Sequence, residues 1–286
     1  CIFFFPAFRY TSIWANDLIT SLIFFTISIY YFKKWEINQS KVLNKNIVLQ
    51  IIFLALATYT RQYFAVFFIY FLYRYYRIIN LKSFINLFII CTITSLPVLA
   101  YTYIHPALIT GQHMSINSIN YFLLGNSSMI SLYLLPIIII NLIFGKIELK
   151  KDIFIYLIIS SIFVFLISLN FDPINWQGGG VNMMISKILF NNNIYFLFTS
   201  IFTYTFFIYL FLEKKINIIL ILILIFMFFS FQAYQRYYEP MFFLIFFTLF
   251  ETNLKNVFTQ KSSASLMLLS YCIVYYLVAI SDFIYN

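Results

Sequence analysis

The 286-residue chain is 63% hydrophobic and 9% charged, against roughly a quarter charged in soluble domains, which excludes water as the solvent for most of it. Its net charge of +9 comes from 18 basic residues scattered through short polar patches, so no continuous basic face exists to hold nucleic acid. Recurring apolar runs with short polar breaks predict one membrane-embedded, all-α domain over 1–286, a polytopic transmembrane bundle of about ten helices.

The chain opens at Cys1 in mid-hydrophobic sequence, with neither a basic leader nor a cleavage site, and is read as a fragment lacking a first helix and a first outer loop. Crossings are expected near 13–32, 84–104, 128–145, 153–170, 193–212, 216–231, 241–251 and 265–281. The stretch 47–78 differs, because Thr58, Thr60, Arg61 and Gln62 interrupt its apolar run at the centre. Lys33, Lys34, Lys41 and Lys45 precede it, and Arg74, Arg77 and Lys82 follow. Both ends then belong on the cytoplasmic side, which predicts a short helical hairpin with Thr60, Arg61 and Gln62 at its tip. Arms of roughly 13 residues reach about 20 Å, close to the far interface.

With this hairpin, Lys146, Lys150, Lys151, Lys214, Lys215, Lys255 and Lys261 also fall in inner turns, leaving Arg9, Arg61, Lys187 and Arg236 outside. Exceptions to the orientation rule invite anion binding as their cause. The outer segments 105–125, 171–192 and 232–240 hold His105, His113, Asp172, Trp176, Gln177, Arg236 and Glu239, which points to a site on the non-cytoplasmic face. No internal repeat is visible in the sequence.

Arg61 is the sharpest candidate, since a permanent cation at that depth needs an anionic or polar receiver. With Gln62 it suits a lipid-linked phosphate, while an ion pair or snorkelling to the interface are the structural alternatives. In Gln235-Arg236-Tyr237-Tyr238-Glu239-Pro240, Pro240 marks a helix start, and Arg236 and Glu239 either neutralise each other or meet substrate. Tyr237 and Tyr238 are interface anchors or stacking residues. The run 172–180, with Trp176 and three glycines at 178–180, reads as a flexible connector or a lid.

Asp17 is expected to pair with Arg9 or Arg61, and general-base or divalent-metal roles stay open there as weaker options. His105 and His113 have no carboxylate between them and make no zinc site, though either can touch substrate. Cys1, Cys91 and Cys272 lie in apolar surroundings and read as small buried hydrophobes.

The run Leu54-Ala55-Leu56-Ala57-Thr58-Tyr59-Thr60-Arg61-Gln62, about 44 residues after the segment Pro6–Asp17, resembles the Arg-Gln element of GT-C membrane glycosyltransferases. That order is similar to the alpha-1,2-glucosyltransferases of late dolichol-linked oligosaccharide assembly and to their prokaryotic relatives. The resemblance implies transfer of a sugar from a polyprenyl-phosphate donor to a lipid-linked or protein acceptor on the non-cytoplasmic face. It implies a multi-pass protein of the endoplasmic reticulum or prokaryotic inner membrane, with Arg61, Gln62 and more weakly Arg236 on the donor phosphate. It also implies an acidic base in a first outer loop, upstream of Cys1. The rival readings are a transporter or flippase of lipid-linked saccharides, a polysaccharide polymerase or ligase, and a structural membrane subunit.

Overall fold

The computed structural model describes residues 17–104, 116–144, 152–169, 180–186, 193–227 and 238–285. These residues are helical, with no strand among them, and fall into two compact units, 17–104 in one and 116–285 in the other.

The first unit holds α1 (Asp17–Asn38), α2 (Lys45–Thr60), a 3-10 segment (Gln62–Val66), α3 (Phe67–Tyr76) and α4 (Leu81–Ile104). Helix α1 closes on Gln39, which adopts a left-handed φ of 42° while its N–H donates to the Trp35 carbonyl at 2.8 Å. A left-handed residue here satisfies a terminal carbonyl. Asn44 opens α2, its side chain accepting from the Ile47 N–H at 3.1 Å. The two helices pack antiparallel. Ser28 Oγ donates to the Gln50 carbonyl at 3.0 Å, and Gln50 Nε2 donates back to Ser28 Oγ at 3.0 Å.

Helix α3 then returns alongside α1, ring by ring. Phe25 meets Phe67 at 4.5 Å, Phe32 meets Phe71 at 4.9 Å, and Trp35 meets Tyr75 at 4.6 Å between centroids. Because these pairs ascend together in sequence, α3 runs parallel to α1 and opposite to α2. The reversal is closed at its base, where Tyr75 OH donates to Gln50 Oε1 at 3.2 Å and the Asn80 N–H donates to the Lys41 carbonyl at 2.9 Å. Residues 45–76 therefore go out and come back, and Arg61 lies at the far end.

The second unit comprises α5 (Ile116–Ile143), α6 (Asp152–Ser168), α7 (Gly180–Ile185), α8 (Ile194–Glu213), α9 (Asn217–Phe226), α10 (Glu239–Thr248), a 3-10 turn (Asn253–Lys255), α11 (Asn256–Gln260) and α12 (Ser262–Tyr285). Its centre is a polar seam between α5 and α8. Ser128 and Thr199 share a hydroxyl hydrogen bond of 2.7 Å, Thr203 Oγ1 donates to the Ser127 carbonyl at 2.8 Å, and Ser200 Oγ to the Leu124 carbonyl at 3.1 Å. Small hydroxyl residues let apolar helices approach closely and hydrogen-bond where water is absent. Pro136 removes the N–H that would serve the Leu132 carbonyl, and Tyr271 OH from α12 fills that place at 2.8 Å.

Several expected elements are corrected. The first helix does not stop at residue 32 but continues to Asn38, because Trp35, one turn further on, is buried against Tyr75, and Lys33 and Glu36 pair alongside at 2.6 Å. The outer segment 105–125 contains the start of α5, from Ile116. The outer segment expected over 171–192 contains α7, whose Asn182 is fully buried and donates to the Ser128 carbonyl at 2.6 Å and to Ser131 Oγ at 2.8 Å. A straight crossing at 241–251 is replaced by a bend of 104° between 241–248 and 253–260. Asn217 fixes that bend by bridging the Glu251 N–H and carbonyl at 3.0 Å each, while Glu213 accepts from Thr252 Oγ1 at 2.6 Å and the Asn253 N–H at 2.8 Å. Among the described residues two helical stretches, Leu123–Ile143 and Ile194–Glu213, are long and apolar enough to cross a membrane, or three if the bent pair is one span.

Candidate functional site

Arg61 sits where α2 stops. Thr58 and Thr60 turn their hydroxyls back onto the Leu54 and Ala57 carbonyls at 2.9 and 2.8 Å, and Arg61 itself is extended, with φ −145° and ψ 111°. Its N–H still donates to the Ala57 carbonyl at 2.9 Å, and its carbonyl accepts from the Phe64 N–H at 3.2 Å to start the 3-10 segment. Arg61 is half-buried, its Nε atom fully so, and Gln62 is exposed.

Beside this break lies a cavity of about 320 Å³, bounded by α2, the 3-10 segment, α3 and α4. Thr58 and Tyr59 line it on one side of Arg61 in sequence and Ala65 on the other, with Thr92, Thr94 and Ser95 contributed by α4. Tyr59 OH donates to the Thr94 carbonyl and ties α2 to α4. The hydroxyls of Thr92, Thr94 and Ser95 donate to the Phe88, Cys91 and Thr92 carbonyls at 3.0, 2.9 and 2.8 Å. With their protons committed to the helix, these oxygens, like that of Thr58, offer lone pairs to whatever fills the space. The rest of the wall is apolar, from Ala55, Ala65, Phe68, Leu72 and Phe88, so these oxygens are isolated acceptors in a greasy lining.

The α1–α2 register set by Ser28 and Gln50 places the Asp17 backbone, the first of α1, at the same end of the unit as Arg61. Arg61, Gln62 and Asp17 are thus at one end of one unit. Glu239 belongs to the other unit, as the first residue of α10 with Pro240 behind it. It is 4% exposed and accepts from Tyr275 OH at 2.8 Å. Both readings of Tyr238, as an interface anchor and as a stacking residue, are corrected, since it is fully buried with its hydroxyl on the Leu224 carbonyl at 3.2 Å. His105, Trp176, Arg236 and Tyr237 lie outside the described residues, as do His113, Arg9 and Lys187.

Sequence reasoning missed the hydroxyl cluster of α4 and the Tyr275 partner of Glu239. The cluster carried a signal, because Thr92, Thr94 and Ser95 are polar residues inside an apolar helix. Tyr275 carried none, being one tyrosine among 24. Among the described residues no group of three or more His, Cys, Asp or Glu is arranged to hold a metal ion. Comparison with protein-family models, with curated proteins and with solved structures gives no match.

Proposed function

We propose that the chain is a membrane glycosyltransferase that takes a sugar from a polyprenyl-phosphate donor and places it on a lipid-linked or protein acceptor at the non-cytoplasmic face. In this reading the apolar segments together form a multi-pass bundle of about ten helices, in which the reversal over 45–76 dips in and returns. The observation that carries the proposal is the half-buried guanidinium of Arg61 at the tip of that reversal, next to a cavity whose mostly apolar wall carries the hydroxyls of Thr58, Thr92, Thr94 and Ser95. A guanidinium suits a phosphate's bidentate geometry, and the hydroxyl oxygens suit a sugar's O–H groups.

In the reaction an acceptor hydroxyl attacks the anomeric carbon, the bond from that carbon to the phosphate oxygen breaks, and the phosphate leaves with the electron pair. Arg61 stabilises the charge that develops on the phosphate, and Gln62 adds a neutral donor. The acceptor's proton passes to a carboxylate, for which Asp17 is the candidate within this chain. Arg236, Tyr237, Trp176 and His105 stay candidates for acceptor and donor contacts.

The test is sugar transfer from a polyprenyl-phosphate hexose in membranes carrying the full-length protein. Arg61→Ala lowers turnover roughly 100-fold or more with membrane insertion intact, and Arg61→Lys, which keeps charge without the bidentate fork, recovers part of it. Unchanged turnover in Arg61→Ala refutes the assignment.

A second reading, a transporter or flippase for lipid-linked saccharides, is favoured by α7. A six-residue helix with a buried Asn182 among longer helices is the kind of broken element that lines transport sites. Substrate movement across vesicles without sugar transfer would select that reading.

A further inference from the structure

At the closed base of the first unit, folding gathers basic residues from two separate stretches of chain, 33–45 and 74–82. Lys33 and Lys34 come from the end of α1, Lys41 from the turn after it, Lys45 from the start of α2, Arg74 and Arg77 from the end of α3, and Lys82 from the start of α4. Three contacts hold these stretches together: the Asn80 N–H on the Lys41 carbonyl at 2.9 Å, Trp35 against Tyr75 at 4.6 Å, and Arg74 on Glu36. Glu36 is the one acid in the sequence between residues 18 and 104, and it is already shared by Arg74 and Lys33.

Five cations, Lys34, Lys41, Lys45, Arg77 and Lys82, are left exposed around this collar. Between them Ile37, Val42 and Leu81 also stand exposed, at 83%, 56% and 69%. Exposed lysines alone describe a solvated face. Cations interleaved with bare aliphatic side chains describe an edge that is wet on one side and greasy on the other. Water or a free anion satisfies the cations and leaves the aliphatic groups exposed. A phospholipid headgroup with its glycerol and upper acyl carbons satisfies both.

We infer that this collar is a docking surface for anionic phospholipid headgroups. It holds the base of the hairpin against one leaflet while the 16 residues of α2, about 24 Å long at the helical rise, carry Arg61 toward the other. The inference rests on the chain being embedded in a bilayer and is independent of sugar transfer.

The test uses the purified full chain in nanodiscs of equimolar phosphatidylglycerol and phosphatidylcholine, with retained lipid identified by native mass spectrometry after transfer to detergent. The wild type retains phosphatidylglycerol in at least roughly tenfold preference, since each basic residue near an anionic surface contributes about fivefold. The variant Lys34→Gln/Lys41→Gln/Lys45→Gln/Arg77→Gln/Lys82→Gln loses the preference, and the charge-conserving set with the lysines changed to Arg and Arg77→Lys keeps it. Equal retention of the two lipids by the wild type, an unchanged preference in the glutamine variant, or displacement of the lipid by inorganic phosphate each overturns the inference. Should the glutamine variant fail to fold, salt titration of the wild type decides: the preference falls as salt rises, and a preference indifferent to salt refutes the docking surface.

Discussion

Gln50→Leu tests whether the reversal in the first unit closes as described. Gln50 is fully buried, and its amide joins Ser28 on α1 to Tyr75 on α3 through hydrogen bonds of 3.0 and 3.2 Å. Leucine keeps the bulk but removes both bonds and leaves the buried Tyr75 hydroxyl without that acceptor. Each bond contributes about 0.6–1 kcal/mol, and stranding the hydroxyl adds about 1 kcal/mol or more, for a total of about 2–3 kcal/mol. Thermal unfolding of the purified chain in detergent, read by circular dichroism and by labelling of the Cys91 thiol in the same unit, should then fall by about 5–10 °C. Tyr75→Phe added to Gln50→Leu should recover about 1 kcal/mol, because the stranded hydroxyl is gone. A melting temperature equal to wild type in Gln50→Leu, with no coupling to Tyr75, would mean that α3 does not return to α2 and that Arg61 is not at a tip.

Two other substitutions probe the same physics elsewhere. Gln39→Gly relieves a left-handed backbone that costs a residue with a Cβ about 1 kcal/mol, so it should raise the melting temperature by a few degrees in the same assay; a lower one would contradict the φ of 42°. Tyr271→Phe uncovers the Leu132 carbonyl and should destabilise by about 1–3 kcal/mol, and Pro136→Ala, which returns the missing N–H, should rescue much of that loss, whereas no rescue would sever the link between the proline and the tyrosine.

How much of this was legible in the sequence varies with the range of the forces involved. The reversal over 47–78 was legible because charge marks both of its ends, and orientation is decided by charge. The length of α1 was not, because a lysine pair looks like a helix end, and the burial of Trp35 against Tyr75, forty positions later, has no local signal. Nor was α7, since three glycines announce a loop while the Asn182 bonds that hold the helix reach to residues more than fifty positions earlier. The bend after α10 is fixed from Glu213 and Asn217, 34 or more positions away, and no local pattern encodes it. At the candidate site, Arg61 was visible as a charge out of place, but the cavity beside it is made by side chains of α2, the 3-10 segment and α3 facing α4, and only the fold brings those together.

The bond from Asn80 to Lys41 has a further consequence, for biogenesis. In the proposed multi-pass reading, a segment that leaves and re-enters by the same door adds nothing to the parity of the chain. Machinery that threads successive helices into a bilayer would deliver everything after residue 80 in the same sense with or without it. Excising 45–76 and rejoining the ends is then neutral for the orientation of every later helix, while excising any one true crossing inverts them all. An element with that property can be gained, lost or remodelled in one step, which suits the part of the molecule that carries Arg61.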